Sequence, residues 1–389
     1  MLNVSLILLA AGNSTRLKIP CKKQNLYIND TPLWLYVAKQ YEKLYNFQNI
    51  IIVCDDIKYY EKFNPNYKYI KGGKERFNSV KNAINDIDTD YVLITDTARA
   101  YINKKVLDEL FKNIDDFDCV FPVINVNDTV FNSSKFSYEN RNELKLVQTP
   151  QLSKTKILKN INLENYTDES SAIAAHGGKI KYILGDELSF KITTQNDLLK
   201  LKLLGLQPPS NKTFVGFGYD VHEFCNSNIG HNLNDDNKNE NLILGGVNLG
   251  EKYALKAHSD GDVLCHALTD ALLGACGLDD IGANYSPNDE KYHNANSLNL
   301  LQDAYKKCMN CGFELINADI TICAEMPKIL PHKNEILKNL IKALNCRSIN
   351  IKATTTEKLG FIGRCEGVSV SAIVNMKYFD WSSYEYINN

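Results

Sequence analysis

Four short apolar runs, at residues 5–9, 49–53, 91–95 and 119–123, carry no polar alternation. A strand with one wet face alternates polar and apolar residues, whereas a strand covered on both faces reads as a continuous apolar run. The stretches between them, at 33–44, 79–87 and 105–114, have helical periodicity. Strands and helices in that order predict an α/β domain with a doubly wound, mainly parallel sheet. Ligands of such sheets bind at the carboxyl ends of the strands.

The pattern changes at Gly205-Leu-Gln-Pro208-Pro209-Ser210-Asn211, a run of turn formers. A chain of 389 residues is too long for one ordinary core. The reading is therefore a first domain at 1–207, a linker at 208–212, and an α+β domain at 213–389 whose first strand begins near Thr213. An Asn- and Asp-rich stretch at 226–241 reads as a loop, with His231 solvated inside it.

Composition narrows the function classes. The net charge of −2 supplies no global field for nucleic acid or membrane, so a phosphate ligand must be held by local charges. No apolar run reaches membrane-spanning length. The run at 6–11 is too short for a signal peptide and follows no basic segment, so a cytoplasmic protein is expected. Eleven cysteines in a chain of this size are not a secreted disulfide framework. Cys308 and Cys311 have redox spacing but share a helical pattern with Leu298, Leu301 and Tyr305, and read as buried thiols.

The first run leads into Ala10-Ala11-Gly12-Asn13-Ser14-Thr15-Arg16. A small-residue turn after a strand lets backbone N–H groups approach phosphates, although such turns also occur for structural reasons alone. Arg16, Lys22 and Lys23 would neutralise a triphosphate. A second glycine turn, Gly72-Gly73, leads into a helix bearing Arg76 and Ser79. Asp96 ends a buried strand, where a carboxylate serves either Mg²⁺ or a helix cap. In the second domain, Asp220 and His222 are two residues apart on a predicted strand and so share a face. His266 on a following helix would complete an N/N/O metal set with one position open. Asp270, one turn beyond His266, is either an orienter of that histidine or a surface residue.

Residues 2–206 resemble the 2-C-methyl-D-erythritol 4-phosphate cytidylyltransferases. The resemblance rests on the Ala-Ala-Gly…Arg turn, Lys23-Gln24, Gly72-Gly73…Arg76…Ser79-Val80, Asp96…Arg99, Asp128-Thr129, Arg141 before Gln148-Thr-Pro-Gln151, Thr167-Asp168-Glu169 and Lys191-Ile-Thr193. It implies that Arg16 and Lys23 stabilise the α-phosphate of CTP, and that Arg141 and Lys191 position the sugar phosphate. Asp96 would hold Mg²⁺, while Ala10, Ala11, Gly12, Gly72, Gly73 and Ser79 bind the nucleotide and Thr167 the substrate. Ser14, Lys22, Thr95 and Ala100 stand where the family usually has Gly, Pro, His and Pro. A related group that loads ribitol phosphate shares much of this pattern.

Residues 213–377 resemble the 2-C-methyl-D-erythritol 2,4-cyclodiphosphate synthases. The matching runs are Gly218-Tyr-Asp220-Val-His222, Leu244-Gly-Gly-Val, Ala257-His258-Ser259-Asp260-Gly261-Asp262, Asp280-Ile281-Gly282, Ala324-Glu-Met-Pro327-Lys328-Ile-Leu330 and Thr354-Thr355-Thr356-Glu357-Lys358 through Arg364. The resemblance implies Zn²⁺ on Asp220, His222 and His266, transition-state hydrogen bonds from His258 and Thr355, and a second cation near Glu357. It places Ala324, Pro327, Lys328, Leu330, Thr354, Thr356 and Glu357 at the CMP part. Ser259, Asp280, Ile281, Gly282, Asp289, Phe361 and Arg364 would face the rest of the substrate. Pro287 stands where the family has an Asp. The family assembles as trimers, so a homo-oligomer is expected, with Arg364 and Glu366 either at the threefold axis or in a surface ion pair. Together the halves imply a bifunctional enzyme of non-mevalonate isoprenoid synthesis acting on small molecules. The rival expectations are another polyol phosphate for the first half, or one half kept only for assembly.

Overall fold

The computed structural model describes residues 2–225, 241–250, 255, 260–286, 289–292 and 295–383. His231, His258, Ser259, Pro287 and nearly all of the stretch read as a loop lie outside the described residues. The chain divides into two compact units, one built on Met1–Pro208 and the other on Pro209–Phe379.

The first unit is an eight-stranded sheet. Its strands are β1 (Val4–Leu9), β2 (Asn49–Cys54), β3 (Lys68–Lys71), β4 (Tyr91–Asp96), β5 (Cys119–Asn125), β6 (Lys145–Val147), β7 (Gln151–Lys154) and β8 (Ile180–Leu184). Their lateral order is β6-β5-β7-β4-β1-β2-β3, with β8 pairing β5. The pairs β1 with β2, β1 with β4, β2 with β3 and β5 with β8 are parallel. Four of the eight strands, β3, β6, β7 and β8, do not register in the sequence; of these, β7 separates β4 from β5 and runs antiparallel to both. Its sequence, Gln-Leu-Ser-Lys, is too short and polar to register as a core strand. It is nonetheless buried, because Gln151 finds a partner: its Oε1 accepts from Ser170 N at 2.8 Å.

Helix α1 (Leu33–Leu44) spans the range that its periodicity predicts. Helix α2 (Arg76–Ile84) starts three residues early, because Asn78 Oδ1 accepts the Glu75 N–H at 3.1 Å and caps the first turn there. Helices α3 (Lys104–Asn113) and α4 (Glu169–Ala175) follow. The described end of the chain also belongs to this unit, whereas the sequence boundary leaves it with the second domain. Trp381 is 1% exposed and its Nε1 donates to Tyr27 O at 2.8 Å.

The second unit is a mixed four-stranded sheet of β9 (Thr213–Glu223), β10 (Phe313–Cys323), β11 (Ile349–Thr354) and β12 (Gly367–Tyr378), in the order β9-β12-β10-β11. Only β10 and β11 are parallel among these neighbours. Helices α5 (Val263–Ala275), α6 (Ser297–Asn310) and α7 (Lys333–Leu344) complete it. Cys308 is buried, but Cys311 caps the end of α6 and is half-exposed, so only one of the two thiols faces the core.

Strand β9 alternates strictly. Gly216 and Gly218 are buried, while Val215, Phe217, Tyr219 and Val221 are exposed. The glycines are dictated by contact with α5: a Cβ at Gly216 would lie 1.8 Å from Ala271 O, and one at Gly218 would lie 1.9 Å from Ala267 O. Helix backbone therefore rests directly on strand backbone, one residue from His266. Gly218→Ala is expected to push α5 off the sheet and to destabilise the second unit by about 3 kcal/mol or more. An unchanged calorimetric unfolding profile would contradict this close approach.

Candidate active sites

At the carboxyl end of β1, residues 10–16 turn across a cavity of about 540 Å³. Ala11, Gly12, Arg16, Lys23, Gly72, Gly73, Ser79, Asp96 and Lys191 line it. The two glycine turns meet closely, since a Cβ at Gly72 would lie 2.3 Å from that of Ala11. Ser79 Oγ accepts from Gly73 N at 3.0 Å and fixes the second turn. Ser14 adopts the left-handed conformation (φ 57°) that a glycine would adopt without strain. Its hydroxyl compensates, accepting from Lys23 N at 3.0 Å and donating to Gln24 Oε1 at 3.3 Å. Lys22 reaches across to Asp55, itself on the cavity wall.

The charges in this cavity are arranged unequally. Burial alone would push the Asp96 carboxyl up, but Lys191 at 2.7 Å and Arg76 at 3.7 Å outweigh it and hold the group near 2. Asp96 is thus ionised at any working pH. Lys23 goes the other way: burial, then the like charge of Lys191, lowers its ammonium to about 8. Its Nζ donates to Ile192 O at 3.2 Å.

Glu169 does not line the cavity, and membership of the Thr167-Asp168-Glu169 motif alone did not reveal its role. It is 1% exposed and receives Arg76 through two bonds, at 2.7 and 3.2 Å, which aims the guanidinium at the cavity beside Asp96. The two residues lie 93 positions apart, so no spacing rule connects them. Glu169→Ala is expected to cost about 3 kcal/mol of stability, because it strands a cation beside a vacated partner. Chemical denaturation measures this directly, and a loss below about 1 kcal/mol, the scale of a surface pair, would refute it.

Ala10 is buried beneath the turn and does not line the cavity. Thr167 is exposed outside the lining. Arg141 is exposed as well, its Nη1 donating to Asn127 O at 2.5 Å. It follows a small two-stranded arm, Val130–Asn132 with Ser137–Glu139, that carries the exposed rings of Phe131, Phe136 and Tyr138.

In the second unit, the close approach of α5 to β9 brings His266 onto Asp220 and His222. Asp220 Oδ2 lies 3.0 Å from both His222 Nε2 and His266 Nδ1, and one donor atom from each residue falls within 4.8 Å of the others. Two imidazoles and a carboxylate so placed fit a divalent cation. Burial alone would raise the Asp220 carboxyl, but the imidazoles of His222 and His266 beside it hold it well below the usual range. Asp270 does not orient a ligand: its Oδ1 accepts from Ile281 N at 2.7 Å and anchors the Asp280-Ile281-Gly282 turn. Asp280 caps that turn through Ala283 N at 2.7 Å.

The segments at 324–330 and 354–357 meet at the ends of β10 and β11. Ala324 N donates to Thr354 O at 3.0 Å, and Glu325 Oε1 accepts from Thr356 N and Lys358 N, each at 3.2 Å. Glu325 is thus the clasp between them, a role not read from the sequence, which assigns 324–330 as a whole to the CMP part. Thr355 Oγ1 donates to Glu357 Oε1 at 3.0 Å. Pro327 is buried, while Lys328, Leu330 and Phe361 are exposed. Asp289 is exposed, accepting from Lys291 N at 3.1 Å. Arg364 forms a two-bond pair with Glu366 at 2.6 and 3.0 Å.

Comparison with known proteins covers both sites. Residues 4–204 match the model of 2-C-methyl-D-erythritol 4-phosphate cytidylyltransferase, and residues 213–377 match the YgbB family. The bifunctional enzyme IspD/IspF of Campylobacter lari is 48% identical over 385 residues, spanning 98% of this chain and 99% of that one. The chain belongs to the bifunctional IspD/IspF family. The IspD/IspF enzyme of Campylobacter jejuni (strain 81-176) is 47% identical over 388 residues, 98% of this chain and all of that one. A solved structure of IspDF from Campylobacter jejuni superposes with a TM-score of 0.85 at 47% identity, covering 98% of this chain and 100% of that one. As a member of IspD/IspF, the chain is a bifunctional enzyme of the non-mevalonate pathway, with a cytidylyltransferase unit and a cyclodiphosphate synthase unit. Among the described residues, no helix is long and apolar enough to cross a membrane.

Proposed function

We propose that the first unit transfers CMP from CTP to 2-C-methyl-D-erythritol 4-phosphate and releases pyrophosphate. The second unit then closes CDP-methylerythritol 2-phosphate into 2-C-methyl-D-erythritol 2,4-cyclodiphosphate and releases CMP. The observation that carries the first half is the convergence of Arg16, Lys23 and Lys191 on one cavity with two glycine turns. In that cavity a phosphate oxygen attacks the α-phosphorus of CTP, and the bond to pyrophosphate breaks. Arg16 and Lys23 stabilise the charge that develops, and Lys191 holds the attacking phosphate. The Gly72-Gly73 turn and Ser79 bind the cytosine end. Asp96 would hold Mg²⁺, which neutralises phosphate charge when bound.

In the second unit, the 2-phosphate attacks the β-phosphorus and the bond to CMP breaks. The segments clasped by Glu325 hold the CMP part, and the Asp280 turn holds the erythritol hydroxyls. Thr355, with His258, donates hydrogen bonds to the transition state. Asp220, His222 and His266 would hold Zn²⁺, which supplies Lewis-acid polarisation of a diphosphate oxygen. Glu357 would hold a second divalent cation.

The assembly is a homo-oligomer built on a trimer of second units, with a hexamer as the full form. The exposed apolar row of β9, from Val215 at 67% to Val221 at 43%, supports a sheet face covered by a further copy. The exposed rings of the arm beside Arg141 support a second contact of that kind, through which a neighbouring copy delivers Arg141 to a phosphate. Eleven free thiols suit a reducing cytoplasm.

The test is CTP turnover with methylerythritol phosphate against ribitol phosphate, together with CMP release from CDP-methylerythritol 2-phosphate. Preference for ribitol phosphate would sink the first assignment, and absence of CMP release would sink the second.

A further inference from the structure

Behind the histidine ligand of α5 lies a short relay. His266 Nε2 is 2.9 Å from Ser297 Oγ, and Ser297 Oγ donates to Asp260 Oδ1 at 2.5 Å. Ser297 is 1% exposed. The second oxygen of Asp260 accepts the backbone N–H of the same serine at 2.9 Å. A carboxylate only accepts, so the single hydroxyl proton of Ser297 is committed to Asp260. Toward His266, Ser297 can then only accept, and the imidazole must carry its proton on Nε2. That leaves the Nδ1 lone pair facing Asp220, 3.0 Å away.

We infer that Ser297 and Asp260 form a positioning pair that fixes the tautomer and ring orientation of His266 for cation binding. The inference rests on the proposal that Asp220, His222 and His266 hold a divalent metal. Its physical basis is general: a histidine ligand needs its second nitrogen tied to an acceptor, or it must be oriented anew for each binding event. The acceptor here is a serine polarised by a carboxylate, from residues 31 and 6 positions away from the histidine. Asp260 also gives this relay a fixed anchor at the start of α6, because it holds both the hydroxyl and the first N–H of that helix.

The experiment uses the full chain stripped with chelator and titrated with Co²⁺. The visible absorption of the bound ion and competition with a chromogenic chelator give the affinity. Ser297→Ala keeps the backbone bond to Asp260 and removes the hydroxyl that joins His266 to Asp260. Its Co²⁺ affinity is expected to fall about 10- to 100-fold. Ser297→Thr restores the hydroxyl and is expected to recover most of that loss, and the unfolding midpoint of the stripped Ser297→Ala protein should match wild type. Asp260→Asn, which leaves the serine in place, is expected to weaken binding in the same direction and serves if Ser297→Ala does not fold. A wild type that binds Co²⁺ with a Ser297→Ala variant of equal affinity would overturn this inference alone. A wild type that takes up no Co²⁺ would overturn the metal assignment and this inference together.

Discussion

Replacing His222 with alanine is expected to reduce CMP release from CDP-methylerythritol 2-phosphate by about 10³-fold or more, while CTP turnover stays near wild type. The magnitude follows from removing one of three ligands from a cation asked to supply several kcal/mol of charge stabilisation, since about 4 kcal/mol corresponds to 10³ in rate. The separation follows from where the residue sits: His222 is on β9 of the second unit, and the CTP cavity is lined by residues of the first. Metal content should fall with activity. A His222→Ala protein that keeps its metal and loses its rate would reassign the histidine from ligand to direct contact with substrate. One that keeps both would remove it from the site.

Lys23→Ala is expected to lower cytidylyl transfer by roughly 10²- to 10³-fold, the loss typical of removing one preorganised donor from a developing charge. The same residue predicts a pH signature. Its ammonium is lowered from 10.5 to about 8, so the free enzyme loses this charge as pH rises through 8. The kcat/KM for CTP should therefore fall on the alkaline side from about pH 8. Lys23→Arg keeps the charge and should move that limb to higher pH. Asp96, held near 2, cannot be the source of it. The linkage has a definite sign. Between about 8 and 10.5 the unfolded chain binds the Lys23 proton more readily than the folded one, so unliganded protein gains stability as pH rises through that window. Bound triphosphate reverses this by favouring the ammonium. An alkaline limb unmoved in Lys23→Arg would remove Lys23 from the explanation.

What could be read from the chain divides along a physical line. Elements whose signal is local were legible: the apolar runs of β1, β2 and β4, the periodic α1, and the two-residue spacing that puts Asp220 and His222 on one face. Strand β7 was not, because a buried Gln looks exposed until its partner is known. The rest of each site depends on residues that meet only after folding. Glu169 aims Arg76, Glu325 clasps two segments, Asp270 anchors a turn rather than a ligand, and Ser297 touches His266. None of these four contacts follows from spacing along the chain. Ser14 shows the complementary case: as a residue in place of glycine it signals strain, and only the structure shows the hydroxyl that offsets it.

Trp381 has a further implication. The sheet of the second unit ends at Tyr378, and three residues later the chain is filling the core of the first unit beside Tyr27. Along the chain, the cyclising unit is therefore an insertion between two segments of the first unit. The core of the first unit is completed only once Trp381 has followed the whole of the second unit in synthesis.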